Sequence, residues 1–145
     1  MEYIVQGANV LAFEKNNHKY AMSCSWTTHV DYEEVAMLLG SQSNSGNALE
    51  IGDLVGISAL AQGQDKLAVH FGTSHSLITD KFKGIEIEQN DGAILIPGAK
   101  SKLICKVKYI THLEGNEIDR FVIFKVLKHE ETIDAKFLIF QDLEY

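Results

Sequence analysis

The chain is short of several features that would place it in a function class at once. It has two cysteines, Cys24 and Cys105, among 145 residues, too few for the disulfide framework of a small secreted protein. It has 13 basic residues against 20 acidic ones, a formal net charge of −7. Nucleic acids and anionic membranes are bound by basic surfaces, so neither is expected as the main partner.

Long apolar segments and targeting signals are missing as well. No apolar stretch approaches the ~18 residues that a membrane-spanning helix requires. The first 13 residues have neither a basic start nor a sustained apolar run, so no signal peptide is predicted and a cytoplasmic protein is expected. With 46% hydrophobic residues, the chain is expected to fold as one domain, residues 1–145, with its own core.

Common catalytic motifs are also absent from the sequence. There is no nucleophile elbow, no P-loop and no Gly-x-Gly-x-x-Gly, so hydrolase, P-loop and Rossmann functions have no support. The histidines show neither His-x-x-x-His spacing nor a nearby cysteine cluster, and no metal site is predicted. They are scattered along the chain at His18, His29, His70, His75, His112 and His129.

The sequence does contain many short segments typical of β-strands. Within Tyr20–Thr28, apolar and polar residues alternate with the period of two expected for a strand with one apolar face. The same alternation puts Leu103, Cys105, Val107 and Tyr109 on one face of a later strand. The other predicted strands are Tyr3–Val5, Val10–Phe13, Val35–Leu39, Ala93–Ile96, Lys102–Ile110, Phe121–Leu127 and Lys136–Phe140.

Polar turns separate these strands, and short helices interrupt them. Turns are predicted at Glu14–Lys19 and Glu114–Glu117. Helical segments are predicted at Ala48–Ile51, with Asn44, Ser45 or Asn47 as the N-cap, at Gln64–Phe71, closed by Gly72, and at Leu77–Phe82. About nine short strands with small attached helices favour a mainly β, antiparallel barrel.

The most informative pattern lies in Gly56–Phe82. It contains, in order, Ile57-Ser58-Ala59-Leu60, Gln64, Leu67-Ala68, Phe71-Gly72 and Asp80-Lys81-Phe82. Together with the upstream block Ala21–Thr28, this pattern resembles the flavin reductase-like, FMN-binding split-barrel family, of the flavin reductase or flavoredoxin type. The resemblance covers Tyr20–His129. It implies an antiparallel split β-barrel with a few short helices, FMN as the cofactor and an oxidoreductase activity.

In this family the upstream block is the strand against which the flavin ring lies. Backbone N–H groups of such a strand can donate to the pyrimidine side of the ring, and small side chains permit close approach. The alternative is an ordinary barrel strand with one polar face. Cys24 is assigned a positional role only, because a lone cysteine is usually a buried small apolar residue. The ring-binding candidates are Ser23, Cys24, Ser25, Trp26 and Thr27.

The resemblance also implies a phosphate site in the polar loop after the next strand. Hydroxyl, amide and backbone donors at the start of a helix can hold an anion without a formal positive charge. The family's loop ends in a Thr, to which Asn47 stands nearest. The alternative is a flexible polar loop. The phosphate candidates are Ser41, Gln42, Ser43 and Asn47.

Ser58 and Lys81 complete the cofactor-binding candidates, and no catalytic residue is assigned. Ser58 stands where the family often has Asn, so it is expected to reach the ribityl chain or the phosphate; the alternative is a buried, backbone-bonded serine. Relatives place a basic residue near Lys81 close to the flavin, where a cation would stabilise the anionic reduced form. The alternative is a solvated surface lysine. Phe71 and Phe82 are expected in the core.

The chain departs from the family pattern at two places that bear on the electron donor. The turn at 114–120 keeps Gly115 but lacks the family's His, and its acidic residues would repel nicotinamide phosphates unless Arg120 compensates. Asp31–Glu34 replaces the family's Asp-Pro-Pro. NADH or NADPH is one candidate donor; a flavoredoxin-like carrier with a rubredoxin-type or iron–sulfur partner fits equally well.

Two further expectations concern assembly and alternative functions. The resemblance implies a homodimer with the flavin near the subunit interface, and a small barrel with open edge strands has a physical reason to pair. The main alternative is a non-catalytic split-barrel module that binds haem, another small ligand or a protein partner. A pyridoxamine phosphate oxidase is a weaker alternative, because basic residues for a second phosphate are scarce.

Overall fold

The computed structural model describes residues 3–40, 43–73 and 80–143. Its strands are β1 (Asn9–Lys15), β2 (His18–Cys24), β3 (Thr27–Asp31), β4 (Glu34–Leu39), β5 (Leu54–Ala59), β6 (Glu88–Asn90), β7 (Ala93–Leu95), β8 (Ser101–Leu113) and β9 (Asn116–Glu131). The helices are α1 (Asn44–Ala48) and α2 (Asp65–Thr73), and a 3₁₀ turn covers Phe140–Asp142.

Strand β1 organises the sheet. It pairs with β2 along its whole length, with β5 over four residues, and with β7 at Phe13. The strand order is β3-β4-β9-β8-β5-β1-β7-β6, and β2 joins at β1. Every strand pair is antiparallel, which confirms the prediction of a mainly β, antiparallel fold.

The tight hairpins follow from local sequence. Asn16 and Asn17 connect β1 to β2 with φ angles of 54° and 64°. Two consecutive residues with positive φ make a type I′ turn, whose twist matches that of the flanking strands. Asn adopts this backbone conformation readily. Between β8 and β9 the turn is Glu114-Gly115, with Gly115 at a φ of 85°. Both predicted turns are confirmed.

Both faces of β1 are buried, and each face contributes to a different core. The first core lies among β1, β4, β5, β8 and β9, and the second lies among β1, β7 and α2. The first includes Leu11, Phe13, Met37, Val55, Val107 and Phe124. The second includes Val10, Ala12, Leu60, Phe71, Phe82 and Ile94. The prediction that Phe71 and Phe82 are core residues is confirmed.

Several predictions about strands are wrong. The segment Tyr3–Val5 is not a strand, and the strand predicted at Tyr20–Thr28 is split into β2 and β3. Residues 136–140 do not form a strand; they make only the isolated bridges Ala61–Phe137 and Gly7–Ile139 before the 3₁₀ turn. Tyr109 does not share the buried face of β8, since it is 51% exposed. The register of β8 against β9 shifts between Val107 and Tyr109, and such a bulge moves the following side chains to the opposite face.

The helix predictions are partly correct. Helix α2 matches the predicted segment at 64–71 but includes Gly72 rather than ending before it. Helix α1 begins earlier than predicted, at Asn44, and its N-cap is Ser43, which lies outside the predicted set of caps. The predicted helical turn at Leu77–Phe82 falls largely outside the described residues.

Gly56 allows β7 to cross directly over β5. A Cβ built on Gly56 would lie 1.9 Å from the carbonyl oxygen of Ile94, far inside van der Waals contact. Gly56 pairs with Ala12 of β1 on one side and with Ile104 of β8 on the other. A side chain at Gly56 would therefore push apart strands that belong to both cores.

We expect Gly56→Ala to lower the free energy of unfolding by about 3 kcal/mol or more, because overpacking against a fixed backbone cannot relax cheaply. Urea unfolding of the purified protein measures the change. Gly40→Ala is the matched control: no atom lies within 4 Å of its added Cβ, so a change within about 0.5 kcal/mol is expected. Equal stability of the two variants would contradict the close crossing.

Candidate functional site

The strand predicted to bind a flavin ring is interrupted at its centre. β2 ends at Cys24 and β3 begins at Thr27, so Ser25 and Trp26 form a connection outside the sheet. Among the hydrogen bonds of the described residues, none is donated by the backbone N–H of Ser25 or of Trp26. The connection therefore presents two consecutive backbone donors that the described part of the fold does not use.

Hydrogen bonds to Cys24 hold this connection in place. The carbonyl of Cys24 accepts from Asn9 Nδ2 at 3.2 Å and from Thr27 Oγ1 at 3.3 Å. The Cys24 thiol lies 3.6 Å from the carbonyl oxygen of Trp26. Burial raises the pKa of this thiol, although its hydrogen bonds to Thr27 and Trp26 act in the opposite direction. A neutral, buried thiol fits the positional role assigned to Cys24.

A crevice of about 250 Å³ separates this connection from helix α2. Its walls are mostly small side chains, and none of its lining residues carries a charge. Such a crevice suits the edge of a flat, apolar ring, with the backbone donors of the connection at its border. The lining residues are Ala8, Asn9, Ser23, Cys24, Ser25, Ala68, Val69, Gly72, Phe140 and Leu143.

Two side chains tie β2 to α2 near this crevice. The Ser23 hydroxyl donates to the carbonyl of Ala68 at 2.6 Å. Lys81 Nζ donates to the carbonyl of Ala21 at 2.8 Å and to that of Phe71 at 2.9 Å. These contacts fix the distance between the helix and the strand.

Lys81 is a buried lysine, only 4% exposed, so the alternative of a solvated surface lysine is wrong. Its ammonium group contacts backbone carbonyls and is not part of the crevice lining. Burial lowers the pKa of Lys81 to about 8, because a low-dielectric surrounding disfavours the charged form. The family resemblance implies that this cation lies close to the flavin, and this stays a prediction.

The lowered pKa of Lys81 predicts a specific pH dependence of stability. Between about pH 8 and pH 10.5, the unfolded chain holds a proton on this group that the folded chain has lost. Raising the pH through this window therefore stabilises the wild type relative to Lys81→Met, by up to about 3 kcal/mol at about 1.4 kcal/mol per pKa unit. The variant itself should be less stable at every pH, because two buried carbonyls lose a donor.

Guanidinium unfolding at pH 7, 8, 9 and 10 measures this difference. Lys83→Met, at an exposed position two residues away, is the matched control and should follow the wild-type profile. Parallel profiles for the wild type and Lys81→Met would contradict the lowered pKa.

The structure describes two of the four phosphate candidates. The Ser43 hydroxyl accepts from the Gly46 N–H at 2.9 Å and lies 2.9 Å from Met22 Sδ, which joins the start of α1 to β2. Asn47 is exposed, and its N–H donates to the Ser43 carbonyl at 3.1 Å. Ser41 and Gln42 lie outside the described residues. Their assignment to a phosphate stays a prediction.

Ser58 is fully buried. Its hydroxyl oxygen accepts from the N–H of Ile96 at 2.9 Å. The side chain joins β5 to the segment after β7, on the same side as the crossing at Gly56. The alternative stated for Ser58, a buried and backbone-bonded serine, is the arrangement that the structure shows.

Arg120, named as a candidate counter-charge for the acidic hairpin between β8 and β9, directs its guanidinium elsewhere. Its guanidinium donates from Nη1 to the carbonyl of Gly46 and from Nη2 to that of Leu49, the latter at 2.9 Å. Both acceptors belong to α1 and the residue just after it. No local sequence signal reveals this contact, which joins residues 74 positions apart.

A larger groove, of about 790 Å³, lies beside β3 and was not predicted from the sequence. Polar and aromatic side chains share its walls, and Tyr32 and Phe137 are 99% and 50% exposed. Its lining includes Asn9, Thr27, His29, Tyr32, Leu127, His129 and Phe137. Since Asn9 also lines the crevice, the two depressions are neighbours.

Neither a metal-ligand cluster nor a membrane-spanning helix occurs among the described residues. Over residues 3–40, 43–73 and 80–143, no group of three or more His, Cys, Asp or Glu side chains is placed to hold a metal ion. Over the same ranges, none of the helices has the length and apolar character needed to cross a bilayer.

The sequence model of the flavin reductase like domain matches residues 1–145. The chain therefore belongs to the flavin reductase-like domain family, and this membership supports a flavin-related oxidoreductase function. No curated protein matches the sequence.

Solved structures agree on the fold. An NADH:FAD oxidoreductase of Streptomyces globisporus matches with a TM-score of 0.84 at 21% identity, over 94% of this chain and 81% of the other. Its complex with NAD and FAD fragments matches with a TM-score of 0.82 at 22% identity, over the same shares. An FMN-binding protein from Thermus thermophilus matches with a TM-score of 0.80 at 13% identity, over 92% and 74%. At these identities the likeness establishes the antiparallel split β-barrel.

Proposed function

We propose that this protein is an FMN-binding oxidoreductase, either an NAD(P)H:flavin reductase or a flavoredoxin-like electron carrier in the cytoplasm. The observation that carries the proposal is the pair of N–H donors at Ser25 and Trp26, for which the described residues provide no acceptor, beside a crevice lined by small side chains. Bound FMN supplies the electron transfer, while the protein binds, orients and electrostatically tunes it.

The described residues fit the ring of this cofactor. The ring is flat and largely apolar, and its pyrimidine oxygens need donors. The Ser25–Trp26 connection offers backbone donors that do not depend on side-chain rotamers, and Ser23 and Cys24 add little bulk beside them. The contacts of Asn9 and Thr27 with the Cys24 carbonyl keep the connection in one conformation. In this proposal Ser23–Thr27 hold the ring.

The phosphate is assigned to the loop and helix after β4, through Ser41, Gln42, Ser43 and Asn47. With a net charge of −7, the protein as a whole repels a phosphate. Neutral donors close to the phosphate must therefore outweigh the overall field. The match of the flavin reductase like domain over the whole chain supports this assignment.

The nature of the electron donor separates the two forms of the proposal. The β8–β9 hairpin carries Glu114, Glu117 and Asp119, and Arg120 is bonded to carbonyls of the α1 segment instead of facing that hairpin. These three carboxylates outnumber the basic side chain described beside them, His112, whose Nδ1 lies 2.9 Å from the carbonyl oxygen of Asp119. This observation favours the electron carrier, with a rubredoxin-type or iron–sulfur protein as its partner.

Absorption spectroscopy tests the proposal. We expect the purified protein to retain FMN through desalting and to show flavin absorption bands that dithionite bleaches. Bleaching by NADH or NADPH under argon would identify a flavin reductase. Bleaching by dithionite alone would identify a carrier. A protein that cannot be loaded with FMN would overturn the proposal in both forms and leave the non-catalytic binding module.

A pair of variants tests the backbone donors directly. Ser25→Pro removes one backbone N–H. The residue before it, Cys24, ends strand β2, and its extended backbone is the conformation that a residue before a proline favours. We expect it to bind FMN at least about tenfold more weakly, as for the loss of 1.4 kcal/mol. Ser25→Ala keeps the N–H and should bind like the wild type. If both variants bind equally, the Ser25 N–H is not a ring donor.

We also propose a homodimer that uses the groove beside β3. Three of its lining residues are large, apolar and exposed: Tyr32 at 99%, Leu127 at 54% and Phe137 at 50%. Burying them against a second copy would remove apolar surface from water. Sedimentation should give twice the 16.2 kDa chain mass, and Phe137→Glu should shift it towards one chain mass. A monomeric wild type at high concentration would contradict this assembly.

A further inference from the structure

Arg120 occupies a special place in both the sequence and the fold. It is the sole arginine of the chain. It lies on β9 directly opposite Leu39, the last residue of β4, where the chain leaves the sheet towards α1. Its guanidinium spans two carbonyls, those of Gly46 and Leu49. A planar guanidinium can hold two acceptors at once in a fixed geometry, which the ammonium of a lysine does less well.

The segment held by Arg120 has little stability of its own. Helix α1 has five residues, far fewer than an isolated helix needs to persist in water. Its position depends on four contacts, one of which is made by Lys15, whose Nζ donates to the carbonyl of Ala48 at 2.9 Å. Ser43 caps its first turn. Gly46 packs closely on Leu39: a Cβ added to Gly46 would lie 2.9 Å from the Leu39 Cβ. Arg120 donates hydrogen bonds to carbonyls at the end of the helix.

Of these four contacts, that of Arg120 is the one that ties the segment to β9. The others tie it to β1 through Lys15, to β2 through Ser43, and to β4 through Gly46. The carbonyls at the end of a helix lack intrahelical donors and need an outside partner. Without Arg120, the carbonyls of Gly46 and Leu49 would lose the guanidinium as their donor, while Lys15 would still hold the carbonyl of Ala48.

The charge of Arg120 is also left without a carboxylate. The ion pairs of the described residues all involve lysines, such as Lys15 with Asp53 and Lys125 with Glu33. Arg120 contacts carbonyl dipoles instead. The positive charge of Arg120 therefore lies beside the α1 segment, to which the proposed function assigns the flavin phosphate.

We propose that Arg120 is a positioning residue that makes the flavin site selective for a phosphorylated flavin, FMN, over riboflavin. It holds Ser43–Leu49 in the shape that presents the phosphate donors, and its charge lowers the local cost of bringing in a dianion. This inference rests on the proposed function, because it assumes that the same segment receives the flavin phosphate.

Comparing two flavins that differ only in the phosphate tests the inference. Dissociation constants for FMN and riboflavin are measured by flavin fluorescence for the wild type, Arg120→Met and Arg120→Lys. Arg120→Met should weaken FMN binding by about tenfold or more and change riboflavin binding by less than about twofold. Arg120→Lys, which keeps the charge but not the two-pronged geometry, should give a smaller loss that is again confined to FMN.

Lys125→Met is the matched control, because it removes one positive charge from the same strand without contacting α1. It should leave the ratio of the two dissociation constants unchanged. Should Arg120→Met fail to fold, as judged by thermal unfolding, Arg120→Lys decides the question.

Three outcomes would overturn the inference. Unchanged dissociation constants for both flavins in folded Arg120 variants would show that Arg120 does not act on the phosphate. An equal loss for both flavins would assign it a purely structural role. A wild type that binds FMN keeps the proposed function whichever of these is found, whereas a wild type that binds neither flavin defeats the proposed function and this inference together.

Discussion

The structure depends on a strand that is buried on both faces. β1 places Leu11 and Phe13 in one core and Val10 and Ala12 in the other, so neither core can form without it. Burial on both sides is achieved because β7 crosses over β5 at Gly56, where there is no room for a Cβ. The hairpin partner of β1 is β2, which carries Ser23 and Cys24. The location of the candidate site therefore follows from the packing of β1.

Local sequence determined the parts of the fold that depend on local interactions. The period-two alternation along β8 and β9 reflects one-sided burial, and the turns at Asn16-Asn17 and Glu114-Gly115 reflect backbone preferences. The failures arise where distant contacts decide. Tyr109 is displaced by a bulge that depends on the register with β9. Residues 136–140 have strand-like composition, but only single bridges are formed to them.

The candidate site shows the same division: its local features were predictable from the sequence, and those that depend on distant contacts were not. A family pattern in the sequence points to the β2–β3 connection, but it does not show that the strand breaks at Ser25 and Trp26. That break depends on where β3 joins β4, a contact between chain segments. The roles of Asn9, Lys81 and Arg120 are also long-range, since their partners lie 15, 60 and 74 residues away. No spacing rule connects residues at such separations.

Electrostatics links the cofactor to the choice of electron donor. In an acidic protein a local positive charge favours the binding of a phosphorylated ligand, and the guanidinium of Arg120 lies at the α1 segment. The same guanidinium cannot also serve a nicotinamide nucleotide at the hairpin of Glu114 and Glu117, because its donors are directed at Gly46 and Leu49. If the α1 segment receives the flavin phosphate as proposed, the guanidinium of the single arginine serves that segment and not the hairpin. A protein donor with a basic surface would meet an acidic acceptor favourably, which supports the carrier form of the proposal.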